Sequence, residues 1–280
     1  MASHGERSAN GALDVYNPGP VLSFANPRLT ASETQVPLVI LMYHCIRPRE
    51  SRKYVISPTL LEKDLIYLRD NGFTTVTVAD LIRFQTDGTP LPKKPVMLTF
   101  DDGSRTNYLY AYPLLQKYGM RAVMAVVGTY IEKSYKSDGS LDSSCKTSLT
   151  FEQIREMSES GSVEIQSHSY DCHKSGARNG MKSKSGESME DYARFLKNDL
   201  FKLESILREK SGVSCTAVAY PFGAVNRDTV EIVKALGYKA SFTCTEGVNY
   251  IDRNTDLFWL KRYNRSPSRD LGRILKRAYT

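Results

Sequence analysis

Short apolar runs recur from residue 36 onward, each separated from the next by a stretch of helical spacing. VPLVILMYH, PVMLTF, AVMAVVG, SVEIQSH, TAVAYPFG and KASFTC have the length and composition of buried strands. FTTVTV (73–78) alternates like a strand, and LFWLKRY (257–263) reads as the last one. Between them, Leu60, Leu61, Leu65 and Leu68 recur at helical spacing after Ser57-Pro58, with Gly72 as the stop. Further helices are expected at Val78–Phe84, at Tyr108–Tyr118, over the polar stretch Asp191–Lys210 and before Gly237. Strands alternating with helices imply an α/β protein with a mostly parallel sheet. About seven such units suit a distorted (β/α)7-type barrel better than an open sheet, and barrels carry their reactive groups at the C-terminal ends of the strands.

The barrel accounts for residues 37–280 as one domain. Residues 1–36, rich in Gly, Pro, Ser and Asn and without periodicity, are expected to form a flexible tail or tether. No apolar run approaches the ~18 residues of a membrane span, and the N-terminus lacks the apolar centre of a signal peptide. A cytoplasmic location and export by a segment absent from this sequence both stay open. The net charge of +7 raises the question of a polyanionic partner, but the densest basic stretch, Arg47–Lys53, also carries Pro, Glu and Ser. That is no nucleic-acid arm. A basic surface suited to an anionic cell wall, or to nothing in particular, is the plainer reading. The cysteines (Cys45, Cys145, Cys172, Cys215 and Cys244) are odd in number and scattered, so no disulfide framework is expected.

MLTFDDG (97–103) sets Asp101 beside Asp102 where a strand should end. Alternation sends adjacent side chains to opposite faces, so the two carboxylates meet different surroundings. Of the four histidines only His4 lies in the tail; His44, His168 and His173 all sit at the C-terminal ends of expected strands, as the aspartates do. One carboxylate with two imidazoles makes a three-ligand metal set that leaves positions open for water and substrate. The second carboxylate then stays free as a base. FDDGS has a rival reading as a phosphatase-type aspartate loop, but such loops place the second aspartate two residues after the first, and here they are adjacent.

As a set, these motifs resemble the polysaccharide deacetylases (NodB homology domain, carbohydrate esterase family 4) over roughly residues 37–265. TFDDG is similar to the family's first motif, which implies Asp101 as catalytic base and Asp102 as metal ligand. SHSYDCH resembles the second, which implies His168 and His173 as ligands. Their spacing of five rather than the commoner four is that of a subgroup including the poly-N-acetylglucosamine deacetylases. AYPFG resembles that subgroup's third motif, implying a backbone N–H of Phe222 for the oxyanion. The subgroup's motif order is permuted, and LMYH (41–44) resembles its first-strand Met-Tyr-His, which implies His44 as general acid. The commoner pattern has an arginine where this chain has Ala219; Arg262, in LKRY, is a candidate partner for Asp101 instead. Tyr43 and Pro221 are candidates for substrate contact, although an aromatic at Tyr43 suits packing as well. Cys172 would restore the four-residue spacing as an alternative to His173, and Asp171 reads as a second-sphere acceptor or a plain loop residue.

The resemblance implies metal-dependent hydrolysis of N-acetyl groups on a glycan, an N-acetylglucosamine polymer or peptidoglycan, with release of acetate. The implied metal is zinc, with cobalt or nickel as alternatives that ligand type does not separate. An O-acetyl (xylan-type) esterase and an inactive glycan-binding homologue are the other readings; the inactive form would lack one of the polar residues, and all are present. A glycan partner, no nucleic acid, and an extracellular or cell-envelope setting belong to the same implication. Selection among glycans is expected to lie with the loops Lys133–Thr147 and Ser175–Ser188.

Overall fold

β1 (Val36–Tyr43) opens the chain of a computed structural model that describes residues 35–48, 52–136 and 145–279. The expected tail, residues 1–36, lies outside them except for its last two positions. β1 leads into a ribbon of β2 (Cys45–Ile46) with β3 (Val55–Ile56). After α1 (Pro58–Asp70) come β4 (Thr74–Thr75), α2 (Val78–Thr86) and β5 (Pro95–Phe100). α3 (Tyr112–Lys117), β6 (Ala122–Val126), α4 (Gly128–Lys136), α5 (Phe151–Glu159) and β7 (Val163–Ser167) follow. The chain continues through α6 (Met189–Ser211), β8 (Ala217–Ala219), α7 (Arg227–Ala235) and β9 (Ala240–Phe242). It closes with β10 (Asn249–Ile251), β11 (Tyr263–Asn264) and α8 (Leu271–Leu275).

The sheet runs β10-β1-β5-β6-β7-β8-β9, with β11 also beside β1 and β4 beside β5. Only the β1–β10 pairing is antiparallel. The gap between β9 and β1 is bridged by the segment that ends in β11. Leu260 N–H donates to the Ser241 carbonyl at 2.8 Å on one side, and Tyr263–Asn264 pairs with Leu41–Met42 on the other. The sheet therefore curls into a distorted (β/α) barrel.

Strand alternation sorts the core into two layers. Leu38 and Ile40 of β1 share an inner cluster with Met97, Ala125, Ala219 and Phe242. Val39, Leu41 and Tyr43 lie in the outer cluster with Leu65, Leu98 and Phe100, beneath the helices. Each fully buried aliphatic side chain contributes roughly 1.5–3 kcal/mol, which fixes the register and puts Met42 and His44 on the inner side.

Several elements differ from the sequence expectation, each for a local reason. LFWLKRY forms a strand only at Tyr263–Asn264, because Trp259 turns left-handed (φ 63) and interrupts the pairing. FTTVTV pairs only at Thr74–Thr75; Thr77 instead caps α2, its N–H donating to the Asp80 carboxylate at 2.8 Å. The helix expected over Tyr108–Tyr118 begins as a π-turn, Asn107–Ala111, ahead of Pro113, which has no N–H to offer the preceding turn. Cysteine pairing is corrected too. Cys45 and Cys145 form a disulfide across 100 residues, leaving thiols at Cys172, Cys215 and Cys244. An odd count conceals a pair whose members meet only once the barrel closes.

Candidate active site

The aspartate pair is divided by one backbone turn. Asp101 follows Met97 and Thr99 on the inner side of β5 and is 2% exposed. The fully buried Arg262 grips it with both terminal nitrogens, Nη1 to Oδ1 at 2.7 Å and Nη2 to Oδ2 at 2.8 Å. The guanidinium is itself fixed, Nε donating to the Thr243 carbonyl at 2.9 Å and Nη1 to Thr99 Oγ1 at 3.2 Å. Burial alone would raise the Asp101 pKa; the charge and hydrogen bonds of Arg262, with help from His168, outweigh it and hold the carboxyl well below the usual range. Asp102 instead takes a left-handed backbone (φ 70), and its side chain remains 32% exposed toward the cleft. Gly103 continues the turn at φ 63, where an added Cβ would meet Val126 Cγ1 at 3.1 Å.

His168 and His173 approach Asp102 from the end of β7. His168 Nδ1–H donates to the Ala219 carbonyl at 2.6 Å, an acceptor-only partner, which leaves the Nε2 lone pair facing the cleft. Ser169, left-handed at φ 76, turns the chain, and Asp199 of α6 holds the loop by accepting the N–H groups of Tyr170 and Asp171, both at 2.8 Å. His173 Nδ1 lies 3.1 Å from the Tyr130 hydroxyl. The two Nε2 atoms stand 3.6 Å (His168) and 3.1 Å (His173) from Asp102 Oδ1. Asp102, His168 and His173 are the one group of its kind among the described residues, with ligand atoms within 4.8 Å of one another. Asp102 Oδ1 is buried and has no well-aligned hydrogen-bond partner. A buried anionic oxygen with two imidazole lone pairs beside it fits a divalent cation of the zinc, cobalt or nickel type.

His44 directly follows β1, half-buried, in a cleft it shares with Asp101, Asp102, Tyr54, Phe222 and Cys244. Its carbonyl accepts Asn107 Nδ2 at 2.8 Å, its ring stands 4.6 Å from that of Tyr54, and its Nδ1 has no hydrogen-bond partner. Burial lowers its pKa, against the opposing charges of Asp101 and Asp102. Phe222 is left-handed (φ 59), 49% exposed, with its ring 4.4 Å from that of His173.

Two expected substrate contacts are corrected. Tyr43 is 1% exposed, stacked on Phe100 with its hydroxyl donating to Asp64 at 3.1 Å, because it has the opposite strand parity to His44. Pro221 is buried behind Phe222, its carbonyl close against Gly180. Cys172 packs with Tyr192 and Leu196, its thiol pKa pushed up by burial, and takes no part in the three-residue group. Asp171 pairs at the surface with Lys174 at 2.6 Å. Of the loop Lys133–Thr147, residues 137–144 lie outside the described residues; residues 175–188 line neither lobe of the cleft. Sequence reasoning missed Tyr54, Asn107, Tyr130 and Asp199. Tyr54 adjoins the basic stretch, but the others contact the site through helix or turn orientation that no motif encodes.

The family profile of the polysaccharide deacetylases matches residues 88–241, more than half of the chain. The chain belongs to the polysaccharide deacetylase family. Among its relatives, the poly-beta-1,6-N-acetyl-D-glucosamine N-deacetylase of Escherichia coli (strain K12) is 29% identical over 71% of this chain. The chain spans about a third, 32%, of that relative's length. The solved structure of the Streptococcus pyogenes deacetylase PplD, in complex with acetate, aligns with a TM-score of 0.70 and 26% identity, covering 88% of this chain and 99% of PplD. IcaB from Ammonifex degensii aligns with a TM-score of 0.71 and 27% identity, over 88% and 99% of the two chains. His44, just after β1, and Arg262, just before β11, lie outside the matched span on either side of it.

The ligand geometry predicts that His168→Ala and His173→Ala each lose most affinity for a divalent cation. Cys172→Ser keeps it. Calorimetric zinc titration of the three variants distinguishes this set from one using the thiol.

Proposed function

We propose that the chain is a divalent-metal hydrolase that removes N-acetyl groups from an N-acetylglucosamine-containing glycan. The observation that carries this reading is the division of labour in the aspartate pair, Asp101 clamped by Arg262 and Asp102 turned toward His168 and His173. The named activity of the E. coli relative supplies the substrate class. Residues 37–280 form the catalytic domain in this reading, and zinc is the proposed metal. An extracellular or cell-envelope setting is supported by the Cys45–Cys145 disulfide, since such bonds persist outside the reducing cytoplasm.

A divalent cation held by Asp102, His168 and His173 would polarise the acetyl carbonyl and lower the pKa of a nearby water. Asp101 accepts the proton of the attacking water, and Arg262 keeps its carboxylate from rotating away. The Phe222 N–H donates to the oxygen on which negative charge develops. His44 gives a proton to the leaving nitrogen, which is a poor leaving group without it. The carboxylates of Asp101 and Asp102 favour the protonated ring that burial opposes. Acetate and a free amino sugar result.

His44→Ala separates this role from simple packing. Its loss should slow amide cleavage about 10²-fold more than cleavage of a nitrophenyl acetate, whose phenolate departs unprotonated. Equal loss on both substrates would make His44 a positioning residue. The reading as a whole is tested by acetate release from poly-N-acetylglucosamine, peptidoglycan, chitin oligomers and acetylated xylan by the zinc-loaded protein. Release from O-acetyl xylan alone would overturn it.

A further inference from the structure

Asp102 and His173 stand on a divide. On one side is the lobe with His44 and Phe222; on the other, a second lobe lined by Tyr130, Lys133, Lys146, Thr147 and Ser148. Lys133 comes from α4 and Lys146 from the residue after the disulfide-bonded Cys145, so a covalent link ties the wall of the second lobe to the neighbour of His44. Thr147 O and Leu149 N–H bind the Arg105 N–H and Gly103 O at 2.8 and 2.9 Å, seating that wall against the DDG turn.

The charges of the two lobes do not balance. Asp101 is paired with Arg262 and Glu246 with Arg269, and Asp102 faces the two histidines. Lys53, Lys133 and Lys146 are all exposed, and among the described residues none has an ion-pair partner. Among the described residues, Asp101 and Glu246 are thus answered by arginines, Lys53 lies over the Tyr54 ring at 5.0 Å, and Lys133 and Lys146 have no acidic partner. A cleft lined by one sign of charge concentrates ligands of the other.

We propose that the second lobe is an anion subsite, in which Lys133 and Lys146 receive a carboxylate or phosphate carried by the glycan close to the acetamide being cleaved. This rests on the deacetylase reading and narrows its substrate class to acidic acetylated glycans. The same charges oppose the product. Each deacetylation leaves an ammonium group on the sugar, and a chain that carries one beside the next acetamide is repelled from the lobe.

The test uses the zinc-loaded protein and three N-acetylglucosamine tetramers of equal length: one neutral, one bearing a lactyl ether carboxylate, one a 6-phosphate. At low salt the native protein should favour one or both acidic tetramers in kcat/KM by roughly tenfold, the scale of one to two close charge contacts in water. The two acidic arms tell carboxylate from phosphate. The preference should shrink in 1 M salt, where screening acts within about 3 Å. Lys133→Gln/Lys146→Gln should bring the ratio toward one through KM, and Lys133→Arg/Lys146→Arg should keep it. A ratio near one in the native protein, or one the Gln substitutions leave intact, overturns the subsite. Calorimetric binding of the same tetramers to Asp101→Asn protein separates the two readings: lysine-dependent preference in binding, with no acetate released by the native enzyme, would sink the deacetylase reading and leave the subsite standing.

Discussion

The Asp101→Asn variant should keep its divalent metal and lose amide hydrolysis by about 10²–10⁴-fold, the usual cost of removing a general base. Asparagine is nearly the same shape and its oxygen can still accept from Arg262, but the buried guanidinium loses its counter-charge, so the variant should be less stable and is assayed where it is folded. What it cannot do is take a proton. Metal content measured by mass spectrometry beside acetate release gives the two numbers needed. Loss of metal in this variant would show that the two aspartates are not divided as their geometry suggests, since the ligand cluster contains Asp102 and not Asp101.

Arg262→Met should destabilise the fold by about 3–5 kcal/mol, because it strands the Asp101 carboxylate in the core without its partner. Urea unfolding at neutral pH reads this directly. The pH dependence carries the sign. In the native protein the Asp101 pKa is depressed, so the pair's contribution is present above the unfolded carboxylate value of about 3.9 and is lost as pH falls below it. Without Arg262, burial is opposed only by the weaker pull of His168 and His44, and the Asp101 pKa should rise. The deficit of the variant should therefore shrink as pH falls and the carboxyl takes up a proton. Adding Asp101→Asn to Arg262→Met should restore much of the stability. A single-variant loss below about 1 kcal/mol would mean that water reaches the stranded carboxylate.

The aspartates and histidines were legible because their chemistry follows from position: polar residues at the ends of apolar strands, at a spacing that suits a metal. The alternation of β1 also carried a signal that Tyr43 and His44 face opposite ways, which decides between the two readings of Tyr43, substrate contact and packing, in favour of packing. α5 was not anticipated, although Thr150 and Gln153 form a capping box at its start. Arg262 was legible only as a candidate, since it reaches Asp101 across 161 residues and only by closure of the barrel. Cys45 with Cys145, and Asp199 with the Tyr170 amide, depend on the same long-range docking. The helix over 191–210 reads as a solvated face because most of it is polar, yet its buried Asp199 holds the histidine loop.

Four non-glycine residues among those described adopt left-handed backbone: Asp102, Ser169, Phe222 and Trp259. Each stands at a turn that aims part of the candidate site: the Asp102 carboxylate, the histidine loop, the Phe222 amide and the approach to Arg262. A left-handed non-glycine residue costs on the order of 1–3 kcal/mol, and glycine would relieve most of it. Selection for heat resistance alone would thus be drawn to glycine at these positions. At Asp102 it would gain stability by discarding the carboxylate that faces His168 and His173; at Ser169 it would lose the hydroxyl that accepts the Cys172 N–H at 3.0 Å. Durability and activity are set against each other at the same few residues, and a thermostable descendant that kept its chemistry would have to find its gains on the helices instead.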